Sequence, residues 1–293
     1  CHHFRDNSGV KLALNGATIM HAPIQEDVAI AAECGYGALE IWAGKLHTYL
    51  QTHAIEELAE EMRALGVVPW CINSIEDITF RDMAGRSELA DELRRTVALA
   101  RAIGAPAIVV VPGCHPDRHS RTDVVMDAAE VLRMMSDVAG EVGLAFEFLG
   151  KPGCAVPTLD MAIEIVARVD RPNVGMVIDT FHFHAGGSRL DDLRDVPVAK
   201  LTVLHLSGCE DRPRDELTDA HRLYPGEGVI PIASILAALR ARDYDGVASV
   251  EIFRPQYWAQ DPRQVARTAH RRAVEILTEA GYVIDGPAQP SEA

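Results

Sequence analysis

Eight short β-branched runs, each followed by a longer segment with helical spacing of Leu, Ala, Ile and Val, organise this chain from one end to the other. The runs read as strands near Val10–Asn15, Ala38–Trp42, Val67–Asn73, Ala107–Pro112, Leu144–Leu149, Val174–Asp179, Leu201–Leu206 and Val247–Ile252. The segments between them read as helices at Ile24–Cys34, Ala54–Leu65, Arg86–Ile103, Thr122–Val142, Leu159–Val169, Leu190–Leu193, Ala233–Arg242 and Pro262–Ala280. Gly35, Gly66, Gly104, Gly143 and Gly281 fall just past helix ends, where a left-handed cap favours glycine. Eight such units in 293 residues are the count of a closed (β/α)8 TIM barrel, an α/β fold of one domain over residues 1–284. An open doubly wound sheet is the rival, but no Gly-x-Gly-x-x-Gly follows the first strand. The tail 285–293 has two prolines and no apolar spacing, and reads as disordered.

Composition narrows the partners. The formal charge of −15 repels phosphate backbones and anionic lipid, which argues against nucleic acid and membrane surfaces. No apolar run approaches the ~18–20 residues of a spanning helix. The six cysteines (Cys1, Cys34, Cys71, Cys114, Cys154 and Cys209) include no Cys-x-x-Cys pair, so neither a zinc finger nor a disulfide scaffold is expected. Without an apolar leader the simplest address is the cytoplasm, where thiols stay reduced and Cys34 and Cys71 serve as core fillers. The first residue is not Met, and Cys1-His2-His3 carries no functional weight.

In a barrel of this type the active site lies at the carboxyl ends of the strands. Those ends collect Asn15, Glu40, Asn73, Glu147, Asp179, His205 and Glu251. Strand parity says which way each points. Phe146 and Phe148 suit the helix-packed face, which turns Glu147 inward with Ala145. The same rule sends Asp179 inward with Val177, His205 with Val203, and Glu251 with Ser249. A single carboxylate or histidine in a strand is usually a hydrogen-bonded structural residue, and Glu40 and Asn73 taken alone read that way. Three carboxylates and an imidazole at four successive strand ends are different. Anions a few ångströms apart repel by several kcal/mol at an effective dielectric of ~20. Lys and Arg are scarce at the strand ends, so a bound divalent metal is the economical counter-charge. Mn²⁺, Mg²⁺ or Co²⁺ suits such a set, and Zn²⁺ also binds it.

Three segments carry a wider likeness: Asn173–Ser188, with its Asp-Thr-Phe-His-Phe-His core, Leu217–Gly228, with Asp-Ala-His-Arg before a Gly-rich turn, and Ser249–Tyr257 around Glu251. Through them the chain resembles the xylose-isomerase-like sugar isomerase/epimerase barrels, most closely the inosose isomerases, from about Lys11 to Leu277. The resemblance implies metal ligation by Glu147, Asp179, His205 and Glu251, and a carbonyl shift on a polyhydroxy ketone such as an inosose or related ketose. The chain departs from that pattern at Lys151 and Gly153, at Trp42 in place of a basic residue, and in the loop Gly113–Ser120, all bordering the expected pocket.

On this reading Glu147 and Glu251 exchange protons with two adjacent carbons through a cis-enediolate. The family pattern brings His182 to the substrate, while His184 packs the loop. Arg222 and Arg254 are expected as donors to substrate oxygens, and Asn73, with Arg81 and Asp82, as closing the pocket. The alternatives are a dehydratase acting on an inosose or 3-dehydroshikimate, with Lys151 or His115 as the acid, and a ketose 3-epimerase. A repair endonuclease needs further histidines where Trp42, Asn73 and Pro112 stand. A non-catalytic sugar binder has no need of three facing carboxylates. Surface helices leave a homo-oligomer open.

Overall fold

The structure, a computed structural model, describes residues 9–114 and 119–285. Eight parallel strands form its centre: β1 (Val10–Asn15), β2 (Ala38–Trp42), β3 (Val68–Ile75), β4 (Ala107–Val110), β5 (Gly143–Glu147), β6 (Val174–Asp179), β7 (Leu201–Leu206) and β8 (Val247–Val250). Each pairs with the next, and the sheet closes because β8 pairs with β1, Ala13 lying opposite Ser249. The (β/α)8 barrel expected from the alternation is therefore the observed fold.

Ten α-helices are present among the described residues. They are α1 (Ile24–Cys34), α2 (Ala43–Tyr49), α3 (Ile55–Ala64), α4 (Met83–Ile103), α5 (Arg121–Ala139), α6 (Leu159–Val169), α7 (Thr180–Ala185), α8 (Ile232–Arg240), α9 (Pro255–Trp258) and α10 (Pro262–Glu279). Their starts follow from local chemistry. The Ser120 hydroxyl caps α5 at the Asp123 amide while the Asp123 carboxylate returns to the Ser120 amide, and Asp261 caps α10 ahead of a proline in the first turn. Their inner faces follow from spacing. In α6, Leu159, Ala162, Ile165, Val166 and Val169 are fully buried on one stripe. Truncating a residue such as Ile165 to Ala would cost about 2–5 kcal/mol.

Two layers of core result. Leu12, Leu39, Ile108, Phe146 and Leu204 pack outward under the helices, whereas Ala13, Ala38, Cys71, Ala107, Ala145, Val177 and Val203 fill the barrel interior. The small interior residues belong to the lower layers. At the carboxyl ends the same inward parity carries polar groups instead.

Several expectations are corrected. Gly35, Gly66, Gly104 and Gly281 do have positive φ, but Gly143 opens β5, and Gly140 (φ +64°) ends α5. The helix expected at Leu190–Leu193 is a 3-10 turn over Leu190–Asp195, confined between the Gly186–Gly187 pair and Pro197. Short α2 and α7, directly after β2 and β6, were not foreseen. Asp285 is paired rather than part of a loose tail: Ile284–Asp285 lies alongside Val10 and Lys11. The rest of that tail, Cys1-His2-His3 and His115 lie outside the described residues. Among the described residues no helix is long and apolar enough to cross a membrane.

Candidate metal centre

Glu147, Asp179 and His205 end or nearly end β5, β6 and β7, and Glu251 follows β8 directly. All four are buried, and one potential ligand atom from each lies within 4.8 Å of the others. His205 Nδ1 is 3.1 Å from Glu147 Oε1, 3.2 Å from Glu251 Oε2 and 3.8 Å from Asp179 Oδ2. Strand register underlies the convergence, since Asp179 lies opposite His205 and His205 opposite Ser249.

Neighbouring groups hold each ligand in place. Asn15 and Asn73 each donate to Glu251 Oε1 at 3.0 Å, which leaves Oε2 turned toward the imidazole. Asp179 Oδ1 accepts from the amides of Phe181 and His182 at the start of α7, and its Oδ2 accepts from Arg222 Nη1 at 2.7 Å. On the far side of the imidazole, Nε2 lies 3.0 Å from Glu40 Oε1. Glu40 therefore fixes the ring with Nε2 protonated and Nδ1 facing the cluster, the arrangement by which a carboxylate orients a metal-binding histidine.

Four buried carboxylates (Glu40, Glu147, Asp179 and Glu251) face one buried guanidinium, that of Arg222, and the His205 ring. Like charges ~4 Å apart at an effective dielectric of ~20 cost about 4 kcal/mol per pair, so the charges do not balance without a further cation. The acid–base properties express the imbalance. Burial, opposed by His205 but reinforced by Glu251 and Asp179, pushes the Glu147 carboxyl up to about 7. Burial also disfavours charge on His205, yet Glu251, Glu40 and Glu147 outweigh it and raise the imidazole well above its ordinary value. Glu40 and Glu251 are lowered, because His205 overcomes the burial that alone would raise them. The excess of negative charge thus raises the proton affinity of both Glu147 and His205. The donor set, three carboxylates and an imidazole nitrogen around one point, fits a divalent ion.

The centre opens into a cavity of about 470 Å³ whose lining includes Trp42, Asn73, Glu147, Lys151, His182 and Glu251. His182 is buried, and burial lowers its pKa to about 4, so the ring is neutral. Its Nε2 lies 3.2 Å from Arg222 Nη2, which can only donate, so Nε2 accepts and Nδ1 carries the proton. Among the described residues that Nδ1 has no hydrogen-bond partner.

Arg222 lines the cavity but is not the free donor expected of it. Nη1 serves Asp179, Ser207 and the Glu251 carbonyl, Nε serves Asp219, and Nη2 serves His182 and Asp219. The strand end does hold a cation, delivered from outside the barrel by a long-looped hairpin whose two short strands pair Gly208–Cys209 with Arg222–Leu223. Gly228 makes this return feasible: its φ is +77°, and a Cβ there would lie 1.7 Å from the Cys209 carbonyl. Arg254, also expected to meet substrate, is not part of the cavity lining. It pairs with Glu210 at 2.7 Å and donates to the carbonyls of Ala220 and Arg222, buttressing that hairpin. Arg81 and Asp82 likewise stand back, Asp82 capping α4, while Glu76 and Asp77 line the cavity. His184 lies in α7, outside the lining.

Sequence reasoning gave Glu40 only a structural hydrogen-bonded role and did not foresee its contact with His205, although Glu40 shares its inward parity with Ala38; it gave Asp219 no role at all. Asp219, one turn before Arg222, binds both Arg222 and Lys151, the latter at 2.7 Å.

Comparison with known proteins follows the same lines. The model of the family described as xylose isomerase-like TIM barrel matches residues 28–276. The inosose isomerase of Halalkalibacterium halodurans is 34% identical over 274 residues, covering 92% of this chain and 97% of that protein. A crystal structure of the IolI protein with a bound zinc atom superimposes with a TM-score of 0.90 at 32% identity, over 92% of this chain and 99% of that one. The 3-dehydroshikimate dehydratase of Pseudomonas putida is 28% identical over 222 residues, 73% of this chain but 34% of that longer protein.

Proposed function

Because the chain belongs to the xylose isomerase-like TIM barrel family, we propose that it is a divalent-metal-dependent isomerase that shifts the carbonyl of a polyhydroxy ketone, an inosose or related ketose, through a cis-enediolate. The observation that carries this reading is the convergence of Glu147, Asp179, His205 Nδ1 and Glu251 on one point, with Glu147 and Glu251 also lining the cavity. These four side chains would hold the ion. Three carboxylates with one imidazole favour manganese, and zinc, cobalt or magnesium meets the same donors. When bound, the ion supplies Lewis acidity that stabilises negative charge on adjacent substrate oxygens.

The chain's own groups do the rest. Glu147 and Glu251, both lining the cavity, take a proton from one carbon and return one to its neighbour. His182, a lining residue whose Nδ1–H is unpartnered among the described residues, is the neutral donor available to a substrate oxygen once the ring turns toward the cavity. Asn73 and Asn15 keep Glu251 in one orientation, Glu40 keeps His205 in one tautomer, and Arg222 steadies Asp179.

Lys151 separates isomerisation from dehydration. Elimination needs an acid for the departing hydroxyl, and Lys151 is the cation of the loop after β5 that lines the cavity. Burial would lower its pKa, but the Asp219 carboxylate more than offsets this and raises it. A tightly paired ammonium is a poorer acid, which supports the isomerase reading as far as Lys151 is concerned; His115, the other candidate acid, lies outside the described residues. The test is incubation of the metal-loaded protein with an inosose in D₂O, followed by NMR. An isomer carrying deuterium next to the carbonyl is expected, and a product that has lost water would overturn the assignment.

A further inference from the structure

We propose that Cys114 and Cys154 form an oxidisable pair, whose disulfide ties the loop after β4 to the loop after β5 at the mouth of the cavity. The two residues face each other in an isolated antiparallel bridge. Ala155 N–H donates to the Gly113 carbonyl at 3.0 Å, so the cysteines occupy the narrow, non-hydrogen-bonded position between antiparallel segments. Opposed Cα atoms at such positions approach to about 4.5 Å, inside the ~4.4–6.8 Å that a disulfide spans. Their thiols are already in hydrogen-bond contact.

The two sulfurs differ in a way that sets the order of events. Cys114 is exposed and lines the cavity, whereas Cys154 is buried. The hydrogen bond that the Cys154 S–H donates to the Cys114 sulfur, together with burial, holds the Cys154 thiol well above its ordinary range, so the exposed Cys114 meets an oxidant first. With a low-molecular-weight disulfide as oxidant, the Cys114 thiolate attacks one sulfur and expels one thiolate, leaving a mixed disulfide. Cys154 then loses its proton to solvent and attacks the Cys114 sulfur, expelling the second thiolate. Two protein thiols are oxidised to one disulfide, and one small disulfide is reduced to two thiols.

The bond would act on the cavity through the backbone. Cys154 N–H donates to the Lys151 carbonyl at 3.1 Å, so the stapled segment is the one that presents Lys151 to Asp219. This inference is independent of the metal and of the reaction assigned above.

The experiment treats metal-loaded protein with oxidised glutathione and reads intact mass, a non-reducing peptide map and the thermal midpoint. The expected results are a loss of two hydrogens and one cross-linked peptide containing Cys114 and Cys154. The midpoint should rise by roughly 3–7 °C, as closing a loop of about 40 residues in a chain of this size implies, and dithiothreitol should reverse it. Cys114→Ser and Cys154→Ser should each abolish the cross-link. Lasting glutathione on Cys114 with Cys154 still free, or both thiols remaining open to alkylation, would overturn the proposal.

Discussion

Two clusters of buried charge lie near the carboxyl ends of the strands, and they solve the same electrostatic problem differently. In the first, Asp27 of α1 meets Lys45 of α2. Both Asp27 oxygens accept from the ammonium, at 2.7 and 2.9 Å, and the Ile19 carbonyl accepts from it at 3.0 Å. One cation answers one anion, and the three donors of the ammonium are used. In the second, four carboxylates share one guanidinium and one imidazole. The first cluster is complete as it stands and reads as a structural clamp between two helices. The second is complete only with a further dication, and buried charge left unbalanced in a cavity is the mark of a site rather than of a clamp.

The largest effect should come from removing a group that moves protons. Glu147→Gln and Glu251→Gln should each lower kcat by about 10²–10⁴-fold while the circular dichroism spectrum and thermal midpoint stay near those of the parent. Breaking the clamp should do the reverse. Lys45→Met leaves Asp27 buried without its partner and should cost about 3–5 kcal/mol of stability in denaturant unfolding, with kcat of the folded protein preserved. The double change Asp27→Leu with Lys45→Met should recover most of that loss. If Lys45→Met instead removed activity without loss of stability, the clamp would belong to the site and the contrast would fail.

Glu40 sharpens the comparison. Glu40→Gln preserves the shape but takes away the negative charge behind the imidazole, and should weaken metal binding about 10–100-fold by titration calorimetry. An unchanged Kd would mean that His205 needs no such support.

The pH dependence of metal binding should follow the same charges. Glu147, raised to about 7, and His205, raised well above its ordinary value, must both give up protons to the ion. The affinity should therefore rise with pH, up to about 100-fold per unit below pH 7 and about tenfold per unit above it. The sign for metal-free stability is opposite. Glu147 and Asp27 are both held up to about 7 by burial, with Lys45 only partly offsetting it at Asp27, so the native state binds the extra protons between about pH 4.5 and 7. Metal-free protein should lose stability across that window as pH rises. The smallest effect belongs to Arg254→Ala, which loosens the hairpin behind Arg222 and should change KM by less than about fivefold.

Most of the scaffold was legible because barrel strands are buried on both faces. They appear as short apolar runs, and a charged residue inside such a run has few reasons to be there. Parity then turned Glu147, Asp179, His205 and Glu251 to the same side. The partners of these residues were harder to read. The Glu40–His205 contact joins positions 165 residues apart across the barrel, and nothing local to β2 announces it. Arg222 reaches the cluster from a hairpin outside the barrel, so no strand parity applies to it. Arg254 looked like a substrate donor from its place after Glu251, yet the chain turns at Pro255 and sends the guanidinium to Glu210. The side chain of a strand can be aimed from sequence, and that of a loop cannot.

The most direct measurement is anomalous diffraction from crystals of the protein soaked in manganese. The account predicts one strong peak within about 2.0–2.3 Å of Glu147, Asp179, Glu251 and His205 Nδ1, with His205 Nε2 still on Glu40. An active, metal-loaded crystal with no peak there, or with its only ion bound elsewhere, would contradict it.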